Sequence, residues 1–214
     1  MASERDPVLA ESGEPQPAAL WTPATIEAAI STVRVAMSSA TGLLPVAQAA
    51  AEAIKTLMSA WETTITLIDG ELYWDIVDIC EEADGWPQFP DYRYPLASYP
   101  VGTDRMMSGR GYVSGDAVDE VMLEFERLWP EVPVGSIMSI PIIALGEVHG
   151  EIFLVRKVNT TPFDRDDLDA GSELATLFGA RLPALVTAYF ESRGDGSGSH
   201  SLPNLTKDLA DTVD

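Results

Sequence analysis

One cysteine, Cys80, and two histidines, His149 and His200, are the whole thiol and imidazole inventory of this 214-residue chain. A Ser-His-Asp or Cys-His site needs a histidine held beside its nucleophile. His149 falls in Gly146-Glu147-Val148-His149-Gly150, which reads as a hairpin turn and makes it an exposed turn residue. His200 falls in a Gly/Ser-rich stretch, and neither histidine has a partner motif. A single cysteine excludes an intramolecular disulfide and a Cys-rich metal site. Asp164, Asp166, Asp167 and Asp169 raise the question of a calcium loop, but Asp169 stands where such a loop needs Gly, and no Glu closes twelve residues. Helix capping accounts for them instead: Asp164 can accept the Asp167 N–H, and acids favour the positive end of a helix. Gly109-Arg110-Gly111 lacks the flanking strand and helix of a phosphate loop and reads as a turn. No catalytic residue and no metal ligand is assigned.

The elements that must position these residues follow from periodicity. Ile137 to Leu145 and Glu151 to Val158 are Ile- and Val-rich strands joined at Gly146–Gly150, followed by a helix capped at Asp164. Trp61 to Ile68 and Glu71 to Ile79 form a second hairpin over Asp69-Gly70, a type I′ turn signal. Thr22-Pro23 starts a helix whose Ile26, Ile30, Val33, Met37 and Ala40 make a narrow apolar seam, either packed on the domain's own sheet or serving as a dimer seam. Gly42 and Pro45 end that helix, and a second follows with Val46, Ala50, Ile54 and Met58 on a broad face. Pro100 to Ser108 is a short helix with Gly109 as its C′ residue. Asp116 to Trp129 is amphipathic, with Val118, Val121, Met122, Phe125 and Trp129 on one side and Asp119, Glu120, Glu124 and Glu126 on the other. Pro183 kinks or divides the last helix.

Composition bounds the function. A net charge of −21, from 13 Lys+Arg against 34 Asp+Glu, repels phosphate backbones and anionic lipid, so nucleic acid and membrane surfaces are not expected partners. It serves solubility, or a basic partner protein. The opening MASERDP has neither a basic nor an apolar signal region, and the expected location is cytoplasmic. Residues 1–20 read as a disordered lead, 22–41 as an accessory helix, 45–190 as the main domain and 191–214 as a flexible acidic tail.

The order Ser-x-x-x-x-Pro-apolar, then Gly-Glu-Val-x-Gly-x-apolar, then Phe-x-x-x-Asp-Leu resembles the C-terminal half of a GAF domain, a ligand-sensing fold of signalling proteins. Tyr94-Pro95-Leu96 and the passage from Arg105 to Asp116 extend the resemblance to bacterial stand-alone members, over roughly residues 45–190. It implies an α+β fold: a central antiparallel sheet, the N- and C-terminal helices on one face, a loop-and-helix layer on the other. It also implies tests. Against the cyclic-nucleotide signature Asn-Lys…Phe-x-x-x-Asp-Glu, Lys157, Phe163 and Asp167 match, while Arg156 and Leu168 depart. The resemblance makes Lys157 and Asp167 a structural ion pair. Bilin binding would need a cysteine elsewhere than Cys80, haem binding an axial histidine, and the free methionine sulfoxide reductases several cysteines.

In domains of this fold, the resemblance further implies, a ligand lies between the sheet and the layer built from the segment before the final hairpin. Here that layer supplies Trp86, Phe89, Tyr92, Tyr94, Tyr99, Arg105, Met106 and Met107, with Ser139 on the strand beneath. These aromatics either wall a cavity or simply cover the sheet. The Ser139 hydroxyl requires a partner, and Arg93, Arg105 and Arg110 are the nearby cations. The reading is a non-enzymatic sensory or regulatory module of bacterial signalling, a homodimer that binds a small molecule or a partner protein, its cofactor unknown. The alternative is a thiol-dependent reductase using Cys80.

Overall fold

The computed structural model describes residues 21–80, 92–115, 119–128 and 134–193. The expected lead (1–20), Trp86, Phe89, Asp116, Val118, Trp129, His200 and nearly all of the acidic tail lie outside these described residues.

Thr22 opens the first helix through a capping box: its hydroxyl accepts the Thr25 N–H at 3.2 Å, and the Thr25 hydroxyl accepts the Thr22 N–H at 2.7 Å. Helix α1 runs Pro23–Ser38 and α2 runs Leu43–Leu57. Pro45 sits in the first turn of α2 rather than ahead of it, where its missing N–H breaks no helical bond. Strands β1 (Glu62–Asp69) and β2 (Leu72–Cys80) form the first hairpin. Asp69 pairs with Leu72, so the turn is Gly70-Glu71, and only Gly70 has positive φ (64°). A type I′ turn needs positive φ at both positions, so the expected type is corrected.

Tyr92–Pro95 is not loop but a short edge strand, β3, paired with β2. A 3-10 turn at Leu96–Ser98 leads into α3 (Pro100–Met107), and Gly109 follows at φ 71°. Next come β4 (Tyr112–Ser114) and α4 (Glu120–Leu128). The central hairpin is β5 (Val134–Ala144) and β6 (Glu147–Lys157), longer than its apolar runs. Its turn is the two residues Leu145 and Gly146, at φ 53° and 84°, not the five-residue segment expected. His149 is therefore a strand residue, the extra one between Val148 and Gly150 where the β5–β6 register slips between Ile142 and Ile143. It is buried, with Nε2 3.0 Å from the Ala144 carbonyl, which corrects the exposed-turn expectation.

Asp164 caps α5 (Arg165–Gly179) in a second capping box, closed by Asp167. Pro183 stands in the first turn of α6 (Leu182–Ser192), so it divides the last helix in two.

The sheet has the order β3-β2-β1-β6-β5-β4, with every pairing antiparallel. One face carries the main core, where Ile65, Leu67, Met138, Ile140, Ile152 and Leu154 meet α1, α2, α5 and α6. The other face is covered by α3 and α4 and holds a smaller apolar cluster of Trp61, Cys80, Val121, Met122, Val134, Ile137 and Val155. This is the α+β arrangement expected. Val33 and Met37 of the α1 seam are 0% and 2% exposed within the single chain, and Ile26, Ile30 and Ala40 pack partly buried on the same core. The seam is filled by α2 and α5 of its own chain, not held open for a second copy.

Glu124, expected on the polar side of α4, is buried; its carboxylate accepts the Gly102 N–H at 3.1 Å and the Val101 N–H at 3.4 Å. It thus caps α3, satisfying two of the free N–H groups at that helix's start. No helix among the described residues is long and apolar enough to cross a membrane.

Candidate functional site

Between the sheet and the α3–α4 layer lies the feature that the fold does not require. β1 and β2 slip register at Ile65/Thr66: Ile65 pairs with Val77 and Thr66 with Asp75, leaving Ile76 as the extra residue. Without the bulge, Asp75 and Asp78, three apart, would face opposite sides of the sheet. With it, Asp78 stands opposite Thr64 and Asp75 opposite Thr66, both on the α3–α4 face. Glu62 shares that face at one end of β1, and Glu151 of β6 stands across Thr66 on the other side. Four carboxyls therefore descend one sheet face: Glu62, then Asp78, then Asp75 and Glu151 flanking Thr66.

Tyrosines and hydroxyls surround the lower pair. The Thr66 hydroxyl donates to Asp75 at 2.7 Å and Tyr94 Oη to the same oxygen at 3.3 Å. Ser139 donates to Glu151, and Tyr112 of β4 stands directly opposite Ser139 in the sheet. The Tyr73 and Thr103 hydroxyls are 2.9 Å apart, and Thr103 donates to the Leu96 carbonyl at 3.0 Å. The Tyr73 and Tyr94 rings lie 5.2 Å apart, and Tyr99 meets them edge-on at 6.4 and 5.7 Å.

Burial raises every acid in this set of four. The Glu151 carboxyl is pushed up to about 7, with its Ser139 hydrogen bond pulling the other way and the Asp75 charge adding to the rise. Asp75 is pushed up to about 6 by burial, against its Thr66 hydrogen bond. Burial alone lifts Asp78 to about 6. Glu62 reaches about 8, from burial and then from the Asp78 and Asp75 charges. Burial, then the nearby Glu151 or Asp75 carboxyl, also raises the phenols of Tyr73, Tyr94 and Tyr112. The layer can therefore hold or release protons near neutrality and can offer both donors and acceptors. Among the described residues no three His, Cys, Asp or Glu side chains converge on a metal site.

The residues anticipated from sequence divide in three. Tyr94, Tyr99, Met106 and Ser139 come together here; Met106 and Ser139 are fully buried, and Ser139 finds its partner in Glu151. Tyr92 and Met107 do not line the layer as expected, being 46% and 50% exposed. Tyr92, two residues from Tyr94 on the same side of the edge strand, stacks on it at 5.4 Å with its own ring half in solvent, and Met107 is on the solvent side of α3 because its neighbour Met106 takes the inward position. Arg105 reaches the rim, where its guanidinium pairs with Asp119 at 3.2 Å and lies over the Tyr112 ring. Trp86 and Phe89 fall outside the described residues. Glu62, Tyr73, Asp75, Asp78, Tyr112 and Glu151 were not anticipated. Their signal was present as acids inside strands that are otherwise apolar, in ELYWDIVDI and after Gly150.

The ion pair expected between Lys157 and Asp167 forms one residue earlier. Arg156 Nη1 donates to Asp167 at 2.9 Å, while Lys157 points to the opposite face with Nζ 4.9 Å over the Trp61 ring. Strand alternation decides this: position 156 faces α5, and position 157 cannot.

No model of a known protein family matches the chain, and no curated protein matches it in sequence. Solved structures do match in shape. A mutant chromophore-binding domain of Stigmatella aurantiaca bacteriophytochrome in the Pr state superposes with a TM-score of 0.62 at 15% identity, over 75% of this chain and 60% of that one. The chromophore-binding domain of an unusual bacteriophytochrome from R. palustris gives 0.63 at 14% identity, over 81% and 65%. The wild-type photosensory core module of the Stigmatella phytochrome gives 0.63 at 15%, over 80% and 39%. The chain thus spans between 39% and 65% of the length of these structures. Such domains contain a GAF domain, and the fold of this chain is GAF-like.

Proposed function

We propose that this chain is a non-enzymatic sensory or regulatory module of bacterial signalling, acting in the cytoplasm, that takes a small molecule on the sheet face beneath α3 and α4. One observation carries the reading: Glu62, Asp75, Asp78, Glu151 and three tyrosines are concentrated on a face that a purely structural domain would fill with aliphatic side chains. Buried ionisable groups cost stability, and their concentration with shifted proton affinities marks functional sites more often than chance. The GAF-like fold and its phytochrome neighbours, which are chromophore-binding by name, support a ligand at a site of this kind. Cys80 supports the non-enzymatic reading, because it is 7% exposed among Trp61, Val121 and Met122, and a catalytic thiol must meet its substrate.

The test is native mass spectrometry of freshly purified full-length protein, followed by a thermal-shift screen of metabolites on wild type and Glu151→Gln. A ligand that co-purifies, or raises the melting temperature in wild type but not in the variant, supports the sensor. If no compound does either, the tyrosine-lined layer is self-filled packing and the chain is a protein-binding module.

A further inference from the structure

Asp75 and Glu151 approach one residue, Thr66, from the two strands that flank β1, and each meets only uncharged donors. Asp75 accepts from the Thr66 and Tyr94 hydroxyls at 2.7 and 3.3 Å, and Glu151 accepts from Ser139. No ion pair among the described residues involves either carboxyl. The cations are engaged elsewhere: Arg105 with Asp119 and the Tyr112 ring, Lys157 over Trp61, and Arg93 over Trp74 on the opposite face. The other titratable groups on this side supply negative charge or none. β1 brings Glu62, β2 brings Tyr73, Asp78 and Cys80, and the edge strands bring Tyr94 and Tyr112. Tyr99 precedes α3, and α4 adds Glu124 and Asp119, while β5 offers only the Ser139 hydroxyl.

What closes over this pair is α3, which packs on β5 and β6 and sends the fully buried Met106 inward. A neutral carboxyl can be enclosed under a thioether, but two neighbouring carboxylates without a cation require water. The helix is lightly held. Its side-chain hydrogen bond to the sheet is one pair of hydroxyls, Thr103 and Tyr73. Its other ties run to α4, through Glu124 at Val101 and Gly102 and through the Arg105–Asp119 pair. Those ties hold the first turns, whereas the Met106 end runs directly into Gly109, at φ 71°, where the chain can pivot.

We propose that α3 is a proton-gated cover: it closes on the sheet while Asp75 and Glu151 are protonated, and its Met106 end lifts and admits water once they ionise. The opening requires no ligand and so stands apart from the small-molecule reading of the same face. Its direction follows from linkage. Burial holds Glu151 at about 7 against an ordinary 4.5, and Asp75 at about 6 against 3.8. Once water reaches them both return toward their ordinary values, so the open form binds fewer protons than the closed one. The closed form is therefore fully favoured below the ordinary values and loses ground as pH rises toward 7. For Glu151 alone this multiplies the open fraction about thirtyfold between pH 5 and pH 7.

The experiment is oxidation of the full chain by dilute hydrogen peroxide from about pH 5 to about pH 8 at constant ionic strength, read residue by residue by tandem mass spectrometry. Met106 reports the cover. Met107, half in solvent beside it, divides out the chemistry of the reagent, and Met37, 2% exposed in the helix-side core, reports opening of the whole domain. The Met106-to-Met107 oxidation ratio is expected to rise at least about thirtyfold between pH 5 and pH 7 while Met37 stays protected. In Glu151→Gln with Asp75→Asn the rise should fall below about threefold, because nothing in the pair is left to ionise. Glu151→Gln alone, which keeps an acceptor for Ser139, should lose at least about tenfold of the wild-type rise and serves where the double variant leaves Met37 unprotected. A flat wild-type ratio, or an undiminished rise in the variants, overturns the proposal. So does Met37 oxidation that increases in step with Met106, since the domain then opens as a whole and α3 is no separate cover.

Discussion

Arg156 Nη1 meets Asp167 Oδ2 at 2.9 Å with the two side chains only 5% and 2% exposed, and this pair pins the end of β6 to the first turn of α5. The guanidinium also donates to the carbonyls of Met58, Thr161 and Pro162 and lies 3.9 Å over the Phe163 ring. The other Asp167 oxygen accepts Trp21 Nε1 at 2.7 Å, so the same carboxylate anchors the entry to α1.

Asp167→Ala would leave the guanidinium enclosed without its counter-charge, at a cost of about 3–5 kcal/mol. Lys157→Ala, which removes a contact over Trp61, is expected to cost much less. Urea unfolding of both variants decides it: equal losses would mean that Lys157 carries the structural charge after all. Asp164→Ala, which removes only the cap, is expected to cost about 1 kcal/mol. Its melting temperature should respond to calcium and magnesium as the wild type does. A divalent-ion stabilisation abolished by that substitution would replace capping with a metal site.

Met106 and Met107 separate the inside of α3 from its outside. Met106 is fully buried, so Met106→Ala should cost about 2–5 kcal/mol, the range for emptying a core site. Met107→Ala should stay within about 0.5 kcal/mol. Comparable losses in chemical denaturation would mean that the helix sits rotated from this orientation.

How much of this was legible follows the physics of each signal. Thr22, Asp164 and Pro183 act through local backbone chemistry, so their capping and helix-dividing roles were readable directly. The six-stranded sheet was less so, because β3 and β4 are short edge strands held by neighbours that no local pattern names. The two-residue turn at Leu145-Gly146 was hidden because Gly150 imitates a turn glycine; it is needed instead where β6 meets β1. The acid-bearing face was illegible for a related reason. Asp75 and Asp78 reach one face only through the bulge at Ile65/Thr66, and a bulge is set by pairing between strands.

Gly150 tests that close approach. Its φ is 154°, and a Cβ there would lie 2.0 Å from the Thr66 carbonyl oxygen and 2.8 Å from Leu67 Cα. These are backbone atoms in the paired strand β1, so nothing flexible can yield. Gly150→Ala should therefore disrupt the β1–β6 pairing, lowering stability by about 3 kcal/mol or more, beyond ordinary overpacking. Gly146→Ala meets no atom within 4 Å and carries only the conformational strain of its positive φ. Hydrogen exchange of the β1 amides is the direct measurement. Unchanged protection in Gly150→Ala would show that these two strands are not held at this spacing.

The raised carboxyls fix how stability depends on pH, and its sign is opposite to that of a protein held by salt-bridged acids. Glu62 is pushed up to about 8 from an ordinary 4.5, and Glu151 to about 7 from the same value. Asp75 and Asp78 rise from 3.8 to about 6. Below the ordinary values both the folded and unfolded chains hold these protons, and burial then carries no charge penalty. As pH rises the unfolded chain releases them first, while the folded chain keeps them; the unfolded state then binds fewer protons and stability falls with pH. The loss continues until the folded groups ionise, with Glu62 the last. Calorimetry at constant ionic strength should therefore show a melting temperature that declines from about pH 5 to about pH 8 and then levels. Glu62→Gln takes the highest step out of the series, so its curve should flatten at the alkaline end and lie above wild type there. The substituted amide keeps a similar shape and volume, which makes the comparison one of charge and not packing. A wild-type melting temperature that rises across this interval, or a variant curve with the same alkaline slope, would show that Glu62 is not enclosed beneath α3 and α4.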